Sequence, residues 1–249
     1  MVNTVAVALL SPLLGYHCRA DSWRYPTPDP DGNIGQPENW DGLCDSGRRQ
    51  SPIDLSHKAA VKGIYPELTF LGYDQLLLNA SIVNTGHTAQ ITLGDSTPAI
   101  LGGGLRNKYI LEQFHFHWSS EHTIDGTRYA LELHLVHRHS KYSSIEQAST
   151  EKAGIAVLAV LFHVHDLPNP TIGTILAAAA PLHRSIEILT PFREQLHLTE
   201  LLPTNPQVYF RYEGSLTTPV CAESVIWTVF PDSLPISLDQ LQEFQTLHD

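Results

Sequence analysis

The chain has 249 residues, with 15 Lys+Arg against 26 Asp+Glu, for a formal charge of −11. That length suits one large domain with a sizeable core, and the acidic balance argues against a protein that tracks a phosphate backbone. Hydrophobic residues at 42% and charged residues at 16% exclude a disordered chain, and three cysteines are too few for a disulfide-dense scaffold. From the N-terminus, Val5 to Leu14 is an apolar run too short to span a bilayer, followed by Cys18-Arg19-Ala20. Residues 1–20 therefore read as a secretory signal cleaved near Ala20. The alternative is a buried N-terminal strand or helix, because Met1 to Leu10 carries no Lys or Arg. Asp21 to Trp40 reads as an irregular segment pinned by Trp23, Tyr25 and Trp40.

Leu76 to Val83 and Ala89 to Leu93 alternate as strands do, with Asn84-Thr85-Gly86 as the turn between them. Leu101 to Leu105 is a Gly-rich connection with no phosphate-loop pattern after it. Tyr109 to Trp118 and Tyr129 to Arg138 are the clearest strands, with Asp125-Gly126 between them as a turn. Ile155 to Val164 is the continuous apolar run of a doubly buried strand. Pro170 to Leu182 and Leu238 to Leu247 read as helices, and Val208 to Tyr212 and Val225 to Phe230 return to strand. The expectation is one mainly β domain over residues 21–249.

Removal of residues 1–20 takes Cys18 away and leaves Cys44 and Cys221 as an even pair. A bridge between them would close a long loop and contribute roughly 4–5 kcal/mol; the alternative is two buried thiols. Asn79-Ala80-Ser81 is a glycosylation candidate if the chain is exported. The last five residues carry no apolar tail for a lipid anchor.

The composition is unusual in its 14 histidines, six of which (His115, His117, His122, His134, His137, His139) fall within 25 residues. In a strand, side chains at i and i+2 share a face, so His115 projects with His117, and Glu132 with His134 and Val136. Side by side, those strands would converge three imidazoles, the ligand set of a catalytic zinc site with a fourth position open. By spacing alone, His-x-His is about as often two hydrogen-bonded histidines as two ligands. His137-Arg138-His139 and His163-Val164-His165 are read as surface or core histidines of that ordinary kind.

Gln113-Phe114-His115-Phe116-His117-Trp118, Ser120-Glu121-His122-Thr123, Leu131 to His137 and Gly214 to Pro219 resemble, in order, the sequence blocks of the α-class carbonic anhydrases. Gln50 to Asp54 and Asn84-Thr85-Gly86-His87 resemble further blocks, and the likeness runs from Trp23 to Leu247. The resemblance implies a central, twisted, mostly antiparallel sheet of about ten strands with a few short peripheral helices. It implies reversible hydration of CO2 to bicarbonate by attack of zinc-bound hydroxide, with one Zn²⁺ per chain on His115, His117 and His134. Gln113 and Glu132 match the acceptors that orient those rings, Glu121 and Thr217, with Thr218 beside them, match the hydroxyl gate, and His87 matches the proton shuttle. Val136, Val157, Leu216 and Trp227 match the apolar wall where CO2 sits. Cys44 and Cys221 fall where secreted and membrane-bound members place a disulfide, which points to an extracellular protein.

The chain departs from the pattern in a short loop after Trp118, in Thr85 where many members have Asn, and in Glu112 where many have an apolar residue. The partners implied are the small molecules CO2 and bicarbonate, with no nucleic acid and no membrane anchor. A monomer is expected and a dimer is the alternative. A non-catalytic relative is the competing reading, but such relatives have typically lost zinc-binding histidines, and all three stand here.

Overall fold

The computed structural model describes residues 40–94 and 98–248; the expected signal and most of the aromatic-anchored segment after it lie outside them. Among the described residues thirteen strands form in chain order. The first five are β1 (Asp54–Leu55), β2 (Leu68–Leu71), β3 (Ala80–Asn84), β4 (Ala89–Leu93) and β5 (Ala99–Gly102). Next come β6 (Leu105–His117), β7 (Thr123–Ile124), β8 (Thr127–Arg128) and β9 (Leu131–His139). The last four are β10 (Ile155–Val164), β11 (Thr190–Phe192), β12 (Phe210–Gly214) and β13 (Val225–Ile236). The helices are α1 (Leu43–Ser46), α2 (Ile145–Ser149), α3 (Pro170–Ala179) and α4 (Leu238–Gln245).

Ten strands join one sheet in the order β11-β3-β4-β6-β9-β10-β13-β12, with β5 branching from β6 and β2 pairing β5. Every pairing in it is antiparallel except β10 with β13, so the expected mostly antiparallel sheet of about ten strands is present. A small second sheet, β1-β7-β8, carries Asp125-Gly126 at the tip of its own hairpin. Among the described residues no helix is long and apolar enough to cross a membrane.

The two-residue period of β10 divides the core. Leu158, Val160 and Phe162 join one cluster with Ile172, Ile175 and Leu176 of α3 and Phe244 of α4. Val157, Ala159 and Leu161 join another with Trp227, Ile124 and Ala148. Both faces of β10 are thus buried, which is why its sequence reads as an unbroken apolar run. α3 starts at Asn169, whose side chain accepts from the backbone N–H of Thr171 and Ile172 ahead of Pro170. A capping box between Ser237 and Gln240 starts α4.

Several element boundaries differ from expectation, each for a local reason. Leu76 to Val83 is not one strand: Asn79 stands at φ 55, in the left-handed region, and pairing begins at Ala80. Tyr129 and Ala130 precede β9, because Tyr129 N–H is taken by the Ser120 hydroxyl and Ala130 N–H by the Phe162 carbonyl. β6 begins earlier than expected, at Leu105, and β13 runs on to Ile236 past a register shift. β12 starts at Phe210, two residues later than read from Val208.

Candidate metal centre

The register of β6 on β9 makes the site. His115 pairs with His134 and His117 with Glu132, while Leu111 pairs with His137 and Gln113 with Val136. Glu112 is therefore the extra residue of a β-bulge, and it reverses the facing of the strand. Tyr109 and Leu111 before it share the helix-side core with Phe114 and Phe116 after it. Gln113, His115 and His117 face the other way. Uninterrupted alternation would have put Leu111 on the histidine face.

The three rings lie with centroids 4.9 Å (His115 to His117), 5.4 Å (His115 to His134) and 4.5 Å (His117 to His134) apart. Each offers a ligand nitrogen within 4.8 Å of the others. Hydrogen-bond polarity supports a metal fit. His115 Nδ1–H donates to Gln113 Oε1 at 2.8 Å, and His134 Nε2–H donates to Glu132 Oε1 at 2.7 Å. An amide oxygen and a carboxylate only accept, so the opposite ring nitrogens keep their lone pairs. Burial pushes His115 down to about 3, assisted by His134, and drives His117 well below and His134 below the usual histidine range. All three rings are neutral, the form a metal requires.

A second cluster, His122, Glu132 and His134, meets the same distance criterion, but its polarity is wrong for an ion. His122 Nδ1 lies 2.6 Å from Glu132 Oε1, and its backbone N–H donates to Oε2 at 2.8 Å. Both rings spend a proton on the carboxylate. Burial pushes Glu132 up, but His122 and His134 outweigh it and hold the carboxyl well below its ordinary range. On the far side His122 Nε2 lies 2.6 Å from the Tyr212 hydroxyl, which reaches Ser51 Oγ at 2.9 Å. His122 lies in one of the sequence blocks that resemble the family, but neither spacing nor that resemblance assigns it a role; its complete burial has no mark in the sequence.

A cavity of about 280 Å³ opens above the rings. It is lined by Gln113, His115, His134, Val136, Val157, Leu216, Thr217, Thr218 and Trp227, together with Ile155 and with Ile145, Glu146 and Ser149 of α2. Glu121 sits beneath, its Oε1 3.4 Å from His117 Nδ1. Burial and Glu132 push Glu121 well above the carboxylate range, while a hydrogen bond with Thr217 opposes that. His87 is half-buried on the β3–β4 turn and is not among the lining residues. Its neighbour Thr88 ties the turn to β6, donating to the Phe116 carbonyl at 2.7 Å and accepting from its N–H at 3.1 Å. Glu112 does not reach the cavity; Arg138 Nε holds it at 2.6 Å. Cys44 and Cys221 are bridged, and Asn79 is exposed at the start of β3.

Three buried imidazoles that could hold a metal ion, beside an apolar-sided cavity on a mainly β scaffold, have the arrangement of a metal-dependent enzyme's site. Residues 35–249 match the family model of the eukaryotic-type carbonic anhydrases. The chain is 38% identical to carbonic anhydrase 6 of Bos taurus, over 80% of this chain and 64% of that protein. It is 35% identical to carbonic anhydrase 4 of Oryctolagus cuniculus, over 97% and 79%, and 35% identical to putative carbonic anhydrase 3 of Caenorhabditis elegans, over 91% and 87%. The chain belongs to the eukaryotic-type carbonic anhydrase family. That family is zinc-dependent, and membership makes the chain a carbonate dehydratase, a carbon–oxygen lyase.

Proposed function

We propose that the chain hydrates CO2 reversibly to bicarbonate and a proton, with one zinc ion on His115, His117 and His134. The observation that carries this is the polarity of the ring hydrogen bonds, which leaves ligand lone pairs on His115 and His134. Bound there, zinc would draw Glu121 toward its ionised form and lower the pKa of a coordinated water to near neutrality, the established behaviour of His₃ zinc in carbonic anhydrases.

The protein's own groups do the rest. Ionised Glu121 can only accept, so it takes the Thr217 hydroxyl proton; the Thr217 oxygen then accepts from the reacting water and aims a lone pair at the substrate. Thr218 lies beside it on the cavity wall. Val136, Val157, Leu216 and Trp227 offer a surface suited to a molecule with no dipole. Gln113 and Glu132 fix ring orientation and raise ligand basicity. His87 relays the product proton from the turn to buffer, through water.

Stopped-flow CO2 hydration with zinc analysis tests the assignment. His117→Asn should lose both metal and activity. His87→Ala should slow turnover at low buffer, with imidazole restoring it. Activity surviving in His117→Asn would sink the assignment, and an unchanged rate in His87→Ala would return His87 to an ordinary turn residue.

Export with removal of residues 1–20 and glycosylation at Asn79 belong to the same proposal. They are supported by the bridge between Cys44 and Cys221, because disulfides persist in oxidising compartments.

A further inference from the structure

Among the residues lining the cavity, Glu146 alone is acidic, and apart from His115 and His134 the other lining groups are apolar, hydroxyl or amide. It projects from the first turn of α2, and a hydrogen bond from the Ser144 side chain holds its carboxyl below the usual range.

The wall that presents it is braced at three points. Arg138 donates through Nε to Glu112 at 2.6 Å and through Nη1 to the Tyr142 carbonyl, which fixes the chain entering α2 to the β6 bulge. Gln147 Oε1 accepts from Ser143 N–H and hydroxyl at 3.1 Å, and Ala148 is buried in the second core. The turn that carries Glu146 is therefore held beside the cavity, with its exposed side chain on the wall.

We propose that Glu146 is a specificity-determining residue that screens the cavity's ligands by charge, weakening the hold on monovalent anions relative to uncharged molecules. This rests on the CO2-hydration reading, in which the substrate is neutral and the product bicarbonate is an anion. A negative charge there leaves CO2 entry untouched to first order and shortens the stay of the departing anion.

Thiocyanate, a monovalent anion that the reaction does not turn over, is the probe, and calorimetry on the zinc-loaded protein reads its dissociation constant. Glu146→Gln should tighten binding about threefold and Glu146→Lys roughly tenfold at low ionic strength, the scale of one or two exposed charges across a wet cavity. Glu243→Gln, the same charge change at an exposed position on α4, should leave it unchanged. Unaltered affinity in Glu146→Gln, or an equal gain in Glu243→Gln, overturns the proposal. A wild-type protein that hydrates no CO2 yet shows the expected thiocyanate pattern would sink the hydration reading and leave the charge screen standing; normal hydration with no Glu146 effect would do the reverse.

Discussion

His122 takes no part in the proposed metal site, yet it holds the carboxylate that orients His134, one of the proposed ligands. Glu132 is fully buried, and its two oxygens are occupied by the His122 ring, the His122 backbone N–H and the His134 ring. Removing the His122 ring leaves a buried carboxylate short of a charge-assisted partner and leaves the Tyr212 hydroxyl with Ser51 Oγ alone of its two contacts. His122→Phe should cost about 2–4 kcal/mol of stability. It should also weaken zinc binding roughly 10–100-fold, because His134 loses its fixed orientation. Urea midpoints and competition with a zinc chelator measure both quantities. His122→Gln, which keeps an N–H donor, should recover part of each. A Phe variant with normal stability and metal affinity would make the His122–Glu132 contact incidental.

At the scale of elements, the strands that carry the site were legible because their alternation is dense. His115-x-His117 and Glu132-x-His134 each face one side of a strand, and Ile155 to Val164 runs between two cores. The bulge at Glu112 was not legible, since a one-residue register shift has no compositional mark. Nor was the contribution of α2 to the cavity, because five residues carry too little periodicity to read. The disulfide joins two elements that the sequence pairs by cysteine count and by the family resemblance, not by any local pattern. It ties α1 to the loop after β12, where Cys221 N–H donates to the Thr218 carbonyl. A closed loop with a separation of 177 residues corresponds to roughly 5 kcal/mol of lost unfolded-state entropy. Protein secreted by an expressing cell should therefore begin near Asp21 and titrate no thiol when denatured without reductant, and reduction should lower its urea midpoint. One free thiol would place Cys18 in the mature chain and contradict cleavage at Ala20.

Over the whole molecule, the buried histidines set an acid limit independent of surface charge. His115, His117, His134 and His137 are all pushed below the usual histidine range, chiefly by burial, and His115 and His137 stand at about 3. Below pH 6.5 the unfolded chain takes up protons that the folded chain refuses, so stability falls with falling pH by up to about 1.4 kcal/mol per pH unit for each such ring. Glu132, held low, adds to the loss below its ordinary range, whereas Glu121, held high in the metal-free protein, opposes it. Zinc at the proposed site would act in the same direction as the histidines, since protons compete with the metal for the same lone pairs. His137 separates the two effects: it lies on the helix-side face, bonded to the Tyr73 hydroxyl at 2.5 Å and to the Ala156 carbonyl at 3.1 Å, away from the cavity. In zinc-free protein, the unfolding free energy should decline steeply between pH 6.5 and 4. His137→Gln, which can keep both hydrogen bonds but cannot titrate, should flatten that decline by about one proton. Urea titrations across the range measure the slope, and an unchanged slope in the variant would mean that the burial of His137 carries no proton linkage.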